Sequence, residues 1–474
     1  MLWLSLHLPH LPLEVFGCEP GTEPLAVAYR QLIQLAGPVA LAAGVRPGMK
    51  TSAAQALCAG LILQERRPDL ERRALERLAA WCLQFTPMAS LEPPDTLLLE
   101  IESSLRYFGG LDRLLKNVRT GLEELGYRHL FGIAPTPLAA WLLSRAGDEA
   151  PLPGGRSLDR HLGRLPVGLL TLDERQRDAL SGLGVETLGD CLALPRTGLA
   201  RRLGTDLLQR LDRAFGRTPD PREPFRPPPR FHSRIELPAE AAHTDQLGFA
   251  LGRLIRELCG FLRGTGNGVQ RLHIALEHRY GSATGLELGT VQPGRDPARL
   301  TALLQERMER VRLPEPVLAV TLKALRLHRL DGQPMHLLED DPARNTDHWH
   351  ALLERLSARL GEPRIRGIGT HPEHRPERAW RYAAPGESAG TEALPDRPLW
   401  LFPEPRHLET SDSQPLWHGP LILEHGPECI ESGWWDGEDV SRDYYVAVNP
   451  AGARLWVFRE RRSPRRWFLH GLFG

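Results

Sequence analysis

The first third of the chain alternates short apolar runs with longer amphipathic stretches. LWLSLHL (2–8) places bulky apolar side chains at alternate positions, the spacing of a half-buried strand, and LLLEI (97–101) is a continuous apolar run typical of a buried strand. DLERRALERLAAWCLQF (69–85) carries leucines at helical spacing with charges opposite, which predicts an amphipathic helix packed on a sheet. A helix near Leu111–Leu125 and a strand at RHLFGIAP follow. This alternation predicts an α/β core up to about Pro166.

The next segment, Val167 to Arg230, has a helical and arginine-rich pattern. DALSGLGVETLGDCLALP has the spacing of a helix-hairpin-helix, in which Gly182 and Gly184 permit a sharp turn. We expect such a turn to leave backbone N–H groups free to receive a phosphate. The alternative is a tight αα-hairpin that binds nothing.

The second half of the chain divides into three parts by its pattern. After the basic, proline-rich linker REPFRPPPRFHSR, residues 231–332 alternate strand-like and helical stretches, which predicts a small α+β domain. Residues 333–428 are rich in Pro, Glu and Arg, so we expect a flexible, partly disordered linker apart from one helix at WHALLERLSARLG. Residues 429–474 are dense in aromatic side chains and predict a small β-rich interaction module.

The composition says more about the cellular compartment of the protein than about its binding partners. Lys+Arg and Asp+Glu both total 59, so net charge favours no class of partner. The six cysteines are scattered without a CxxC pair, which argues against a zinc knuckle or a disulfide framework and favours reduced thiols. No apolar run reaches the roughly 18 residues that a membrane span needs. We therefore expect a soluble, cytoplasmic protein without a membrane partner.

Three carboxylates lie in or just before the LLLEI strand: Glu92, Asp95 and Glu100. Acidic residues at the mouth of a central strand are where two-metal phosphoryl-transfer enzymes hold their ions. The residues around this strand decide whether these carboxylates form a metal site or are the remains of one.

The order of the pieces resembles a Y-family DNA polymerase over residues 1–332. GVRPGM (44–49) looks like the fingers signature of that family, and FGIAPTPLAAWLL (131–143) looks like its GIA palm segment. The C-terminal WWDG, DYY and WFLHGLF stretches are similar to ImuB-type proteins, the polymerase-like members of bacterial mutagenesis cassettes. The resemblance implies these domains: palm, 1–20 and 76–166; fingers, 21–75; thumb, 167–228; linker and little finger, 229–332; flexible linker with short binding motifs, 333–428; and the C-terminal module, 429–474.

The metal-binding pattern of the family is incomplete here. Aligning the first strand puts His7 where active relatives have an Asp and Pro9 where a second acid usually lies. Aligning the second puts Asp95 and Thr96 at the Asp-Glu pair and Glu100 at a later Asp. A neutral imidazole is a poor replacement for an oxygen ligand to Mg²⁺. These positions are therefore read as a degenerate catalytic site without a bound metal.

The triphosphate clamp of the family is also missing. The resemblance puts Pro38 and Leu41 at the fingers Tyr and Arg positions, and Pro135 and Pro137 at the palm lysine pair. Without cationic donors the triphosphate charge goes uncompensated, a loss of several kcal/mol of transition-state stabilisation per clamp. The sequence thus predicts a non-catalytic protein with no cofactor. The alternative is a weakly active, Mn²⁺-dependent polymerase that uses His7, Asp95 and Glu100.

Binding is then the expected function, in damage-induced (SOS-type), mutagenic translesion synthesis. Sequence-independent contacts to primer-template DNA are predicted at Gly182, Gly184, Arg196, Arg201, Arg202, Arg210, Arg226, Arg230 and Arg234.

DRPLWLFPEP (396–405) resembles a sliding-clamp motif, although Asp396 replaces the usual Gln. The predicted clamp contacts are Asp396, Pro398, Leu399, Trp400, Leu401 and Phe402. The alternative is an arm that packs back on its own domain; SQPLWHGP (413–420) is a second copy. The ImuB-like region further implies an error-prone replicative-type DNA polymerase and a RecA-like accessory protein as partners.

Overall fold

The computed structural model describes residues 1–17, 19, 21–152, 156–330, 349, 352–357, 359–361, 364–383 and 397–474. The chain divides into two compact units, Met1–Asp347 (unit 1) and His348–Gly474 (unit 2). The predicted mixed α/β and α+β multidomain class with a C-terminal β-rich module is confirmed. No helix in the described ranges is both long and apolar enough to cross a bilayer.

Unit 1 begins with two small sheets and the helices that cover them. Its first elements are β1 (Trp3–His7), α1 (Leu11–Glu14), β2 (Leu25–Tyr29), β3 (Leu32–Ala36), α2 (Pro38–Ala42), α3 (Thr51–Leu57), β4 (Ile62–Glu65), α4 (Pro68–Cys82), β5 (Ala89–Glu92), β6 (Thr96–Glu100), α5 (Leu105–Phe108), α6 (Leu111–Glu124), β7 (Leu130–Ala134) and α7 (Pro137–Ala146). The antiparallel core sheet has the order β5-β6-β1-β7, and the small sheet has the order β3-β2-β4.

The core sheet is buried on both faces because its strands alternate between two sets of partners. Leu4 and Leu99 pack with helices α4 and α6 in one hydrophobic cluster. Trp3 and Leu98 point to the other face and pack with helix α7 and the helices that follow it. Helix α4 thus belongs to the core sheet, although the predicted fingers boundary at residue 75 divides it. The structure instead ends the small sheet at Glu65.

The small sheet begins with a hairpin that the hydrophobic pattern of the sequence does not indicate. Strands β2 and β3 form a hairpin whose turn residues, Arg30 and Gln31, have φ of 51° and 64°. Two-residue turns with both φ values positive normally use Gly or Asn. Because the sequence has neither at this turn, the hairpin left no recognisable signal.

A helical segment links the core sheet to the rest of unit 1. It contains α8 (Arg156–Gly163), α9 (Glu174–Gly182), α10 (Leu188–Ala193), α11 (Arg196–Leu203) and α12 (Thr205–Ala214). Its apolar side chains join those of α7 in one cluster. The chain then runs without regular structure along β5, where the N–H of Phe225 donates to the carbonyl of Ala89 at 2.7 Å.

The last part of unit 1 is an α+β layer, as predicted. It contains β8 (Phe231–Ala241), α13 (Gly248–Thr265), β9 (Asn267–His278), β10 (Thr284–Gly294), α14 (Pro297–Met308), β11 (Val317–Ala324) and β12 (Leu327–Arg329). The strands form an antiparallel distal sheet of order β10-β9-β11-β8, with β12 paired to β9.

Helix α13 packs directly on α4 because glycines let the helices approach closely. A Cβ built at Gly260 would lie 2.0 Å from Cδ1 of Trp81, and one at Gly121 of α6 would lie 2.4 Å from Cζ2 of the same indole. Arg253 is fully buried at this junction, where its Nη1 donates to the carbonyl of Glu14 and its guanidinium lies 4.1 Å from the ring centroid of Tyr127.

Unit 2 contains a short hairpin and one large sheet. Its strands are β13 (Gly367–Thr370), β14 (Trp380–Ala383), β15 (Trp400–Ser411), β16 (Gln414–Leu416), β17 (Ile422–Ser432), β18 (Val440–Val448), β19 (Arg454–Glu460) and β20 (Trp467–Leu472). The large sheet is antiparallel with the order β16-β15-β20-β19-β18-β17.

The predicted boundary at residue 429 therefore divides a strand. Residues 400–428, expected to lie in a flexible linker, supply β15, β16 and most of β17. Strand β15 was not predicted because it contains Pro403 and Pro405, and proline is disfavoured within strands. The structure accommodates them in a register shift between Leu401 and Arg406, where no ladder hydrogen bond from a proline is required.

Candidate functional site

His7, Thr96 and Asp95 come together at one end of the core sheet. His7 pairs with Thr96 across β1 and β6, and Asp95 immediately precedes β6. Oδ1 of Asp95 accepts from Nη2 of Arg145 at 2.7 Å and from Oγ1 of Thr96 at 2.9 Å, and lies 3.4 Å from Nδ1 of His7. The carboxylate is thus held by three groups of the protein itself.

Arg145 is the residue that sequence reasoning missed. It lies in the last turn of α7, fifty positions from Asp95, and its guanidinium lies 4.4 Å from the ring centroid of Trp141. Burial raises the pKa of Asp95, but the hydrogen bond from His7 and the charge of Arg145 outweigh it, so the pKa lies below its ordinary value. Asp95 is therefore an anion whose counterion is a guanidinium.

Glu100 does not belong to this cluster. It pairs with Trp3 at the opposite end of β1 and β6, four residues from Thr96, or roughly 13 Å along a strand. Its carboxylate accepts from the N–H of Glu102 at 3.0 Å and from Oγ of Ser103 at 2.7 Å. Glu100 is therefore too far from His7 and Asp95 for these three side chains to bind one Mn²⁺ ion together.

Glu92 is likewise occupied, by a contact with Arg222 of the extended segment after α12. Among the residues that the structure describes, no three His, Cys, Asp or Glu side chains are grouped so that they could hold a metal ion. Mg²⁺ requires near-octahedral oxygen ligands, and paired Mg²⁺ ions about 3.5–4 Å apart require several carboxylates. One carboxylate, a hydroxyl and an imidazole next to Arg145 do not fit that requirement.

A cavity of about 410 Å³ opens beside Asp95, between the core sheet and the small sheet. Its lining includes Pro9, Ile33, Pro47 and Arg66. Arg66 is the one cation among the described lining residues, and it is bound bidentately by Glu71 at 2.8 and 2.9 Å. A triphosphate in this cavity would meet no unpaired lining cation.

The four positions aligned with the family's triphosphate-binding residues provide no cationic donor. Pro38 begins α2, and Leu41 packs in the small-sheet core. Pro135 and Pro137 flank Thr136, whose hydroxyl caps α7 and donates to the carbonyl of Ala214 at 2.8 Å. These positions now shape helix starts and packing.

The glycine hairpin of the helical segment differs from the expectation in its hydrogen bonding. Gly182 is the last residue of α9, and Gly184 takes a φ of 69°. The N–H groups of Leu183 and Val185 donate to the carbonyl of Leu180, and that of Gly184 donates to the carbonyl of Ser181. The expectation of free amides at this turn is therefore wrong, because the helix end accepts all three.

The seven predicted DNA-contacting arginines divide into two groups. Arg196 is paired with Asp212, Arg234 with Glu236 and Glu277, and Arg210 donates to the carbonyl of Thr171. These contacts occupy guanidinium groups that a phosphate would otherwise use. The other four are exposed, and their side chains form no hydrogen bond or ion pair within the described ranges: Arg201, Arg202, Arg226 and Arg230.

The predicted clamp segment is part of the large sheet. Trp400 and Leu401 pair with Leu472 and Gly471 of β20, and Phe402 packs on a hydrophobic cluster of that sheet. Leu399 and Trp400 remain 86% and 64% exposed. Pro398 lies against Gly471, and Asp396 lies outside the described residues. Backbone pairing thus holds this segment on the large sheet, while the side chains of Leu399 and Trp400 stay exposed. Its binding to the sliding clamp stays a prediction.

Comparisons with known proteins find similar sequences in one family model and in two groups of proteins. The impB/mucB/samB family model matches residues 20–145. Protein ImuB of Caulobacter vibrioides (strain NA1000 / CB15N) is 28% identical over 457 residues, which cover 91% of this chain and 100% of that protein. DNA polymerase IV of Desulfatibacillum aliphaticivorans is 29% identical over 198 residues, which cover 40% of this chain and 48% of that protein.

Solved structures of Y-family polymerases are also similar. The insertion ternary complex of Dbh DNA polymerase has a TM-score of 0.39 and 17% identity, covering 70% of this chain and 100% of that chain. DinB from Sulfolobus solfataricus has a TM-score of 0.38 and 16% identity, with the same coverage. The chain is thus similar to Protein ImuB over nearly all of its length and matches the impB/mucB/samB family model over residues 20–145, so the predicted ImuB-type resemblance is confirmed.

Proposed function

We propose that this protein is a non-catalytic, polymerase-like adaptor that acts on primer-template DNA during mutagenic translesion synthesis in the cytoplasm. The observation that carries the proposal is the contact between Arg145 and Asp95. A guanidinium beside the carboxylate replaces the positive charge that a divalent ion supplies in a working site, and it repels a second cation. Arg66 lines the same cavity but is already paired with Glu71, so the repulsion is attributed to Arg145.

A primer-extension assay tests the loss of catalysis. The full chain at high concentration is incubated with a primed template, all four deoxynucleotides and Mg²⁺, then with Mn²⁺. We expect no extension with either ion. Extension that persists in the wild type and disappears in Asp95→Asn would overturn the proposal, since that pairing excludes a contaminating polymerase.

Contacts to duplex phosphates are proposed for the four exposed arginines of the segment 196–230. Such contacts are independent of sequence and weaken as salt increases, with a slope of about −0.9 in log K per phosphate. We expect Arg201→Glu/Arg202→Glu to weaken binding to a fluorescent blunt duplex and to lower its salt slope. The matched control is Arg312→Glu, because Arg312 is also exposed and forms no ion pair within the described ranges. Equal binding by all three proteins would contradict this part.

The remaining partners of the adaptor are the sliding clamp, an error-prone replicative-type polymerase and a RecA-like accessory protein. For the clamp, exposure favours Leu399 and Trp400 as the anchors, since aromatic and aliphatic side chains at a protein interface often carry its energy. We expect Leu399→Ala/Trp400→Ala to reduce capture by immobilised clamp. Trp434→Ala is the matched control, because Trp434 is 81% exposed in the same unit. Undiminished capture would exclude this segment as the contact.

A further inference from the structure

A cleft of about 730 Å³ lies in unit 1 where α5 and α6 meet α13 and the start of α14. It is separate from the cavity beside Asp95 and from the exposed arginines of residues 196–230. Its volume is within the range of about 300–1,000 Å³ that is typical of ligand sites. Two features of its lining, a series of aromatic rings and a set of unpaired cations, indicate a ligand.

The aromatic rings form a continuous series from the interior to solvent. Trp81 and Phe85 have ring centroids 5.0 Å apart, Phe85 and Phe108 5.9 Å, and Phe108 and Tyr107 5.0 Å. Trp81 and Phe85 are buried, whereas Tyr107 is 85% exposed at the rim of the cleft. An exposed tyrosine supported by an aromatic neighbour offers a flat surface on which a planar group can stack.

Cations surround these rings. Four cations and one carboxylate line the cleft, and that carboxylate, on Glu124, is already 3.4 Å from Arg256. The side chains of Lys116, Arg263 and Arg295 form no hydrogen bond or ion pair within the part of the chain that the structure describes. They come from three different elements, α6, α13 and the turn before α14, and converge on one opening.

We propose that this cleft binds an unpaired DNA strand, with one base stacked on Tyr107 and the adjoining phosphates bound by Lys116, Arg263 and Arg295. Stacking on aromatic side chains together with cationic contacts to the backbone is how proteins hold single strands without sequence preference. A duplex keeps its bases inside paired stacks and offers no base face to Tyr107. An acidic peptide would satisfy the cations but has no need of the stacking surface.

The test is the affinity of the full chain for a fluorescent twelve-residue oligothymidylate, measured by anisotropy. Tyr107→Ala removes a stacking contact worth about 5- to 150-fold in affinity. Lys116→Glu/Arg263→Glu/Arg295→Glu is expected to weaken binding at least tenfold at low salt. Three lost phosphate contacts would also reduce the salt slope by about 2, from roughly 0.7 per phosphate on a single strand. Arg312→Glu is the control and is expected to bind as the wild type does.

Crosslinking places the strand independently of any variant. An oligonucleotide with 5-iododeoxyuridine is irradiated on the wild-type protein, and the modified peptides are identified by mass spectrometry. Crosslinks in residues 107–121 or 259–297 support the proposal. Crosslinks confined to residues 196–230, or oligothymidylate affinity unchanged in Tyr107→Ala and the triple variant, would overturn it.

Binding to duplex DNA distinguishes this cleft from the exposed arginines of residues 196–230. Blunt-duplex affinity measured on the same variants is expected to depend on Arg201 and Arg202 and not on the cleft. Loss of oligothymidylate binding with blunt-duplex binding retained supports the cleft. A triple variant that loses both ligands equally would overturn the assignment to unpaired DNA, provided that its urea midpoint matches that of the wild type.

Discussion

Nη2 of Arg145 lies 2.7 Å from Oδ1 of Asp95, with both side chains about one-fifth exposed. Arg145→Ala removes this partner and the contact with Trp141, leaving a mostly buried carboxylate with weaker neutralisation. We expect the free energy of unfolding to fall by about 1–3 kcal/mol in urea titrations followed by circular dichroism. Arg72→Ala is the comparison, since Arg72 is 70% exposed and lies 4.0 Å from Glu76. Equal losses in both variants would show that the Asp95 contact has no special weight.

Glu14 predicts a pH dependence of stability. Burial raises its pKa to about 8, because the hydrogen bond from the N–H of Arg128 and the charges of Arg253 and Arg128 only partly offset it. The unfolded chain holds this proton with a pKa near 4.5, so between these values the folded state binds more protons. This contribution to stability is therefore complete below pH 4.5 and is lost as the pH rises through about 8.

Glu14→Gln isolates that contribution, since the amide cannot titrate. We expect the free energy of unfolding of the wild type, relative to the variant, to fall by up to about 1.4 kcal/mol per pH unit between pH 5 and 8. Urea titrations at half-unit steps measure it. Parallel curves for the two proteins would mean that Glu14 is ionised in the folded state.

Gly260→Ala tests the packing of α13 on α4. Its Cβ would lie 2.0 Å from Cδ1 of Trp81, so the helices must separate. We expect a loss of about 1–3 kcal/mol or more, the usual cost of overpacking. Gly248→Ala in the same helix has no atom within 4 Å of its new Cβ and should be neutral or stabilising by up to about 1 kcal/mol. Similar urea midpoints for both variants would contradict this packing.

Hydrogen exchange can decide whether the clamp segment is held in a strand. Since β15 pairs with β20, we expect peptides covering Trp400–Leu408 to exchange as slowly as those covering Trp467–Leu472. The turn at 434–437 should exchange rapidly and serves as the internal standard. Rapid exchange over Trp400–Leu408 would restore the picture of a free binding peptide.

The sequence predicted those elements whose apolar pattern reflects burial, on one face for helix α6 and on both faces for the two central strands. Helix α6, expected at 111–125, spans Leu111–Glu124, and the two central strands lie where the apolar runs place them. The β2–β3 hairpin and β15 could not be predicted from the sequence. The hairpin turn has no Gly or Asn and β15 contains two prolines, and tertiary packing compensates for these unfavourable residues. The contact of Arg145 with Asp95 could not be predicted for another reason: no local sequence pattern relates a residue in α7 to the carboxylate before β6.

The contact of Trp81 with Gly121 and Gly260 also bears on the connecting segment 215–230. The packing of Trp81 against these two glycines fixes the relative orientation of the core sheet and the distal sheet. That orientation therefore does not depend on the length of the chain that joins the two sheets. Inserting a few Gly-Ser pairs after Arg226 lengthens the segment between the core sheet and the distal sheet. We expect this to weaken the packing of the two parts only slightly, because the entropy of loop closure grows slowly with loop length. Circular permutants cut at that position should likewise retain the same arrangement of the two sheets.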